Sequence, residues 1–232
     1  MAAGAKAQQE LRVAKDGKAY SVNEFWEHYG NGWEQKWYDA WPLVQKAPEG
    51  LHTGKASPDL VEKALREIRP WFLGVSQKGN RKSVEIGWTL DHSHHADYSL
   101  MEGLPLSHFP EVHNLVYAVT SQLGGNIEDL DQRLNVSCLL YSSGSSIGFH
   151  CDRFCYTSEI YGCILSNDSD SSLEFQDPTE PSVRYVMDEP PGRCFVQRGP
   201  ARYEWQHGVA PLGCGHRLSV TWRWFSADLS MK

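Results

Sequence analysis

Residues 134–152 read LNVSCLLYSSGSSIGFHCD, two short apolar runs on either side of a turn rich in Ser and Gly. Runs this short, bounded by Gly and Ser, predict a pair of β-strands. Further runs of the same kind follow, namely EIYGCIL, SSLEFQD, VRYVMD, RCFVQR, ARYEWQH and HRLSVTWRWF. So many short strand-like segments within about 90 residues favour a sandwich or barrel over alternating β and α units.

Helical patterns precede these strands. Ser21 and Glu24 form a capping box that opens the Trp-rich stretch FWEHYGNGWEQKWYDAW. Residues 57–69 begin with Ser-Pro, which favours a helix start, and residues 112–123 repeat apolar side chains at helical spacing up to Gly124. We therefore expect an α+β chain whose helices come first and pack outside the β structure.

The chain divides into three predicted parts. Residues 1–16 are small and polar, and they predict a disordered tail. Residues 17–56 predict a helical, Trp-rich extension that ends in a linker over residues 46–56. Residues 57–232 predict one large domain, which is long enough to bury a stable core.

Composition and charge restrict the class of protein. The 232 residues carry a formal charge of −7, which argues against a general grip on nucleic-acid phosphates. The six Cys lack the spacing of a secreted disulfide scaffold, and no run approaches the ~20 apolar residues of a membrane span. We expect an intracellular monomer, cytoplasmic or nuclear, with reduced thiols and no membrane partner. The best local basic patch consists of Lys78, Arg81 and Lys82.

A metal site is one interpretation of HCD at residues 150–152. Side chains alternate along a strand, so His150 and Asp152 share one face and Cys151 points to the other. Two His and one carboxylate on one side of a metal are the ligand set of non-haem iron(II) oxygenases. His207 in RYEWQHGV is the candidate third ligand. It lies 55 residues after Asp152, which leaves room for several strands to run away from Asp152 and return to it.

Other kinds of site stay open from the residues alone. A Cys–His nucleophile would use Cys151, although alternation turns its thiol away from His150. GSSIG at 144–148 matches the G-x-S-x-G of serine hydrolases, but a strand rather than a helix is predicted to follow it. A structural zinc site would use Cys151, Cys155, Cys214 and His216, although these residues lack the C-x-x-C spacing typical of such sites.

The last predicted strand, RLSVTWR at residues 217–223, has a polar face. Alternation places Arg217 and Arg223 on that face, together with Ser219 and Thr221. A solvated surface is one explanation. The other is that the two guanidinium groups flank a small dicarboxylate inside a barrel, where each charged hydrogen bond contributes about 1.5–3 kcal/mol.

Four motifs, in this order, resemble those of the AlkB-like family of iron(II) and 2-oxoglutarate dependent dioxygenases. They are YSSG nine residues before His150, HCD, the His in RYEWQHGV, and RLSVTWR. The likeness covers roughly residues 70–226. It implies a double-stranded β-helix, or jelly-roll barrel, that binds Fe(II), 2-oxoglutarate and O2. The catalytic metal ligands would then be His150, Asp152 and His207.

The resemblance also implies roles in binding 2-oxoglutarate. Arg217 would pair with its distal carboxylate, helped by the Tyr141 hydroxyl, and Arg223 would lie near its metal-bound end and near Asp152. The family commonly has Asn two residues before this Tyr. Leu139 occupies that position here, so one cosubstrate contact is missing or supplied elsewhere.

The activity implied is oxidative demethylation or hydroxylation of N-alkylated bases in nucleic acid, with modified RNA favoured over single-stranded DNA as the partner. Trp88 and Tyr98 would stack on a base. Phe154 stands where base-repairing members of the family usually carry an acidic residue. Its aromatic ring either stacks on a base or indicates a protein, lipid or small-molecule substrate instead. The alternatives are an oxygenase of the same fold acting on a protein or small molecule, and a non-catalytic binding protein that keeps the barrel.

Overall fold

The structure is a computed structural model that describes residues 10–14, 18–42, 44–75, 81–90 and 99–231. A small N-terminal unit comes first. Its strands, in spatial order, are β2 (Ala19–Ser21), β1 (Leu11–Val13) and β3 (Trp41–Pro42), and its helices are α1 (Val22–Tyr29) and α2 (Trp33–Asp39). The unit has an apolar cluster of its own, built from Ala14, Phe25, Trp37 and Ala40.

The predicted capping box at the start of α1 is confirmed. The Ser21 hydroxyl accepts a hydrogen bond from the Glu24 amide, and the Glu24 carboxylate accepts one from the Ser21 amide. These bonds satisfy two donors that the first turn of a helix otherwise leaves unpaired. The helix ends at Gly30, whose positive φ of 58° suits a residue without Cβ.

An eight-stranded sheet forms the larger wall of the main body. Its strands are, across the sheet, β16 (Ser230–Met231), β7 (Ser99–Glu102), β6 (Arg81–Leu90), β8 (Leu134–Ser142), β15 (His216–Phe225), β10 (Tyr156–Asn167), β13 (Arg193–Gln197) and β5 (Leu51–Lys55). The pairings from β7 to β5 are antiparallel, and β16 runs parallel to β7.

A five-stranded sheet forms the smaller wall. Its strands are β4 (Val44–Gln45), β12 (Val183–Val186), β11 (Leu173–Gln176), β14 (Gln206–Val209) and β9 (Ile147–His150). Residues of both sheets line a cavity between them. This is the predicted double-stranded β-helix, and the prediction is confirmed.

Alternation along the central strands separates the core from the cavity. In β8, Val136 and Cys138 pack into the main apolar core, whereas Asn135, Ser137 and Tyr141 line the cavity. The outer face of the large sheet is covered by α3 (Pro58–Ile68) and α4 (Pro110–Gln122), which bury their apolar stripes there. The large sheet is therefore apolar on its outer face and polar on the face that lines the cavity.

The helices 58–68 and 110–122 confirm the two predicted from periodicity. Shorter helical segments are two 3-10 turns, Arg69–Leu73 and Leu106–His108, and α5 (Gly199–Tyr203). Among the described residues, no helix combines the length and apolar character needed to cross a bilayer.

Two predicted boundaries need correction. The tail was expected to be disordered to residue 16, yet Leu11–Val13 pairs with β2 and β3. The linker was expected to reach residue 56, yet Leu51–Lys55 is an edge strand paired with β13. Both strands are held by pairing with other strands, and runs of three to five residues are too short to show periodicity.

Candidate metal centre

The candidate metal ligands meet across two neighbouring strands of the small sheet. β9 and β14 are antiparallel, and their register places His150 directly opposite His207. Asp152 follows two residues after the end of β9. One ligand atom from each of the three side chains lies within 4.8 Å of the others. The structure thus brings together the three predicted ligands, and within the described part of the chain no Cys belongs to this group.

A hydrogen bond at His150 and burial at His207 suit the two imidazoles to bind a metal. His150 Nδ1 lies 2.8 Å from the Gly148 carbonyl oxygen, which only accepts, so Nδ1 donates and Nε2 is the ring nitrogen left for a metal. Burial lowers the pKa of His207 to about 4, with the nearby Asp152 carboxylate partly opposing this effect. His207 is therefore neutral near pH 7, as a metal ligand must be.

The third ligand is a carboxylate held in its charged form. Burial acts against ionisation of Asp152, but Arg223 and the two imidazoles outweigh it and hold the pKa of Asp152 below its usual range. Two imidazoles and one carboxylate fit an iron(II) ion that keeps other positions for ligands. The donor set does not resemble a thiolate-rich structural zinc site.

A buried arginine fixes the loop that carries Asp152. Arg202, in α5, donates hydrogen bonds of 2.9 Å to the Asp152 carbonyl and 2.6 Å to the Arg153 carbonyl. The Cys151 thiol donates to the Trp205 carbonyl at 3.3 Å, so it is turned away from the ligand group. Because α5 leads directly into β14, these contacts join the loop after His150 to the strand of His207. No sequence motif indicated this role for Arg202.

The ligands open into a cavity of about 600 Å³. Its floor is the polar face of the large sheet, where Arg217, Ser219, Thr221 and Arg223 all line the cavity, as alternation along β15 predicted. The alternative of a solvated surface is wrong for this strand. The serine-hydrolase interpretation of GSSIG also fails, because β9 rather than a helix follows Ser146.

The predicted cosubstrate residues lie in two groups on the cavity floor, with Tyr141 beside Arg217 and with Arg223 near Asp152. Tyr141 is buried, and its ring centroid lies 5.4 Å from the Arg217 guanidinium carbon. Arg223 lies near Asp152, as expected, and donates a 3.3 Å hydrogen bond to the hydroxyl of Tyr156, a cavity residue that sequence reasoning missed. Leu139 lines the same floor and offers no hydrogen bond.

The side chain of Arg217 has a partner that the sequence did not indicate. Its Nε and Nη2 donate to the two carboxylate oxygens of Glu189 at 2.8 and 2.7 Å, and its Nη1 donates to Ser219 at 3.0 Å. The exposed fractions of the Arg217 and Glu189 side chains are 4% and 0%. Arg217 is therefore held in place before any ligand arrives.

The predicted substrate residues Phe154, Trp88 and Tyr98 do not all lie at the cavity. Phe154 is 78% exposed and stacks on Tyr203 of α5, with ring centroids 6.2 Å apart and planes inclined by 7°. It follows Arg153, which lines the cavity. The Trp88 side chain packs with Leu100 and Phe225 rather than lining the cavity. Tyr98 lies outside the described residues, as does Lys78.

Comparison with known proteins supports the fold. A Pseudomonas putida prolyl-4-hydroxylase has a TM-score of 0.50 and 17% identity, covering 76% of this chain and 93% of that one. A structure described as OsALKBH1 has a TM-score of 0.53 and 15% identity, covering 77% and 100%. Residues 10–40 match a family described as Domain of unknown function (DUF8284). No curated protein matches.

Proposed function

We propose that this chain is an iron(II) and 2-oxoglutarate dependent dioxygenase. The observation that carries the proposal is the group His150, Asp152 and His207, whose ligand atoms meet within 4.8 Å at the wall of a polar cavity. The resemblance of the sequence motifs to the AlkB-like family agrees with it. When bound, the iron and cosubstrate, with O2 as the oxidant, would supply hydroxylation of a substrate C–H bond, coupled to oxidative decarboxylation of 2-oxoglutarate to succinate and CO2.

The chain's own residues would bind, orient and shield the reactants. The two imidazoles and the Asp152 carboxylate would hold the metal, and Arg202 keeps that carboxylate's loop in place. Tyr141 and Arg217 form a hydrogen-bonding end of the cavity, suited to the distal carboxylate. Fixing the reactants in one geometry and excluding bulk water is the main contribution a protein makes to such chemistry.

We further propose that the substrate is an N-alkylated base in nucleic acid, with RNA ahead of DNA, and that the reaction is demethylation or hydroxylation. The exposed pair Phe154 and Tyr203 offers flat aromatic surface beside cavity residue Arg153, and stacking on a base contributes about 1–3 kcal/mol. The cavity floor adds hydrogen-bonding groups that a base edge needs, on Glu85, Asn135, Ser137 and Thr221.

A protein or small-molecule substrate is the second candidate. The formal charge of −7 favours it, because binding to phosphates relies mainly on Lys and Arg. One of the structural neighbours is described as a prolyl-4-hydroxylase, an enzyme whose name indicates action on proline.

A succinate-release screen tests the proposal. Purified protein with iron(II), 2-oxoglutarate and O2 would be offered methylated RNA and DNA oligonucleotides, nucleosides and peptides. Succinate formed with methylated RNA, and absent with His150→Ala, is the expected result. Phe154→Ala should then raise the KM for the oligonucleotide while leaving the KM for 2-oxoglutarate unchanged. Succinate formed only with peptides would refute the proposal of a nucleic-acid substrate. Absence of succinate with every substrate class would refute the proposed dioxygenase activity.

A further inference from the structure

One end of the cavity has arginines on both sides of a single tyrosine. The strand registers place Arg81 of β6 and Arg217 of β15 directly beside Tyr141 of β8, one on each side. Their guanidinium carbons lie 5.9 and 5.4 Å from the centroid of the Tyr141 ring. All three residues line the cavity. An anion at this end would therefore meet two guanidinium groups and one phenol.

The two arginines differ in their charge balance. Arg217 forms a two-pronged ion pair with Glu189, so the pair carries no net charge. Guanidinium has five N–H donors, of which Glu189 takes two and Ser219 one, leaving two for a ligand. Arg217 can therefore orient a carboxylate, but Glu189 cancels the attraction that its charge would otherwise provide.

Arg81 differs from Arg217 in the described residues around it. Among the residues that the structure describes, no carboxylate forms an ion pair with it, and its side chain is only partly exposed. Its charge is directed at the cavity because alternation along β6 turns the next residue, Lys82, the other way, where Lys82 Nζ donates to the Phe72 carbonyl at 3.0 Å. Of the described residues at this end of the cavity, Arg81 is therefore the one whose positive charge no ion pair balances.

We infer that Arg81 is a binding residue for the distal carboxylate of the cosubstrate, supplying the net charge while Arg217 supplies the orientation. This inference rests on the proposed 2-oxoglutarate dependence. Arg81 would also provide a hydrogen-bond donor to the cosubstrate that the apolar side chain of Leu139 cannot provide. The arrangement would select a 2-oxo acid with a second carboxylate over one with an uncharged end.

The test compares two ligands that differ only at the distal end. 2-Oxoglutarate and 2-oxopentanoate share the keto-acid group, but a methyl replaces the distal carboxylate in the second. Their dissociation constants would be measured by titration calorimetry on full-length protein loaded with Mn(II), without turnover. The variants are Arg81→Ala and Arg81→Lys, and Lys82→Ala is the matched control because it removes the same charge one residue away on the opposite face.

Arg81→Ala should weaken 2-oxoglutarate binding by about tenfold or more, as expected when a charged hydrogen bond is removed. Binding of 2-oxopentanoate should stay within about twofold, and Arg81→Lys should recover most of the 2-oxoglutarate affinity because it restores the charge. Lys82→Ala should match the wild type for both ligands.

Other results separate the role of Arg81 from the proposed function. Unchanged 2-oxoglutarate affinity in Arg81→Ala would overturn the role of Arg81 and leave the proposed function standing. An equal loss for both ligands would also overturn it, since the effect would not come from the distal carboxylate. No binding of 2-oxoglutarate to the Mn(II)-loaded wild type would overturn the proposed function and the inference together.

Discussion

Glu189→Ala removes one partner of an ion pair that is closed off from water. The side chains of Arg217 and Glu189 are 4% and 0% exposed, and a carboxylate oxygen of Glu189 also accepts from the Leu173 amide at 2.9 Å. Removing one partner of such a pair typically costs about 3–5 kcal/mol, because the remaining charge is left uncompensated in a medium of low polarity. We expect a loss of that size in the free energy of unfolding.

Thermal unfolding followed by circular dichroism measures this loss. For a chain of this length 1 kcal/mol shifts the midpoint by roughly 2–4 °C, so the expected decrease is roughly 6–20 °C. The matched control is Glu62→Ala, which removes an ion pair to Arg66 between side chains that are 71% and 73% exposed. Exposed pairs contribute about 0–1 kcal/mol, so this variant should melt within a few degrees of the wild type.

A double variant separates the loss of attraction from the effect of an unpaired buried charge. Glu189→Leu combined with Arg217→Met removes both charges, and it should be markedly more stable than Glu189→Ala alone. If Glu189→Ala melts within about 2 °C of the wild type, or if the double variant is the less stable of the two, the buried pair is not the constraint described here.

Three further predictions concern the metal loop, the core and the cosubstrate. Arg202→Ala should weaken Mn(II) binding by about tenfold, because it releases the loop of Asp152; equal affinity in a folded variant would contradict this role. Thr120→Val leaves the Trp222 indole N–H, which donates to the Thr120 hydroxyl at 2.9 Å, without its acceptor, and should cost about 1–3 kcal/mol in urea unfolding; a change below about 0.5 kcal/mol would contradict it. Arg217→Lys should raise the KM for 2-oxoglutarate about tenfold, since Lys cannot keep the two-pronged pair with Glu189 and also donate to the distal carboxylate; an unaltered KM would assign recognition of that carboxylate to other residues.

The features that the sequence predicted well are those with local periodicity. The two-residue repeat of β15 correctly placed Arg217 and Arg223 on one face, and that face lines the cavity. The capping box at Ser21 was readable for the same reason, because all its groups lie within four residues. Such patterns need no knowledge of distant parts of the chain.

The features that escaped prediction depend on partners distant in sequence. Glu189 is 28 residues from Arg217, and nothing local indicates that the turn before β13 brings its carboxylate to that guanidinium. The sequence around Arg202 does not indicate that its side chain donates to the carbonyls of Asp152 and Arg153, about 50 residues away. Leu51–Lys55 is a strand because β13 pairs with it. In each case tertiary structure, rather than residue preference, decides the outcome.

A single calorimetric measurement tests the proposed metal and cosubstrate site most directly. 2-Oxoglutarate would be titrated into wild-type protein and into His150→Ala, each with and without Mn(II), after circular dichroism has shown that the variant is folded. We expect one 2-oxoglutarate to bind per chain in the wild type with Mn(II), and none to bind without the metal or in His150→Ala. Absence of binding to the Mn(II)-loaded wild type, or equal binding by the folded variant, would contradict the proposed site.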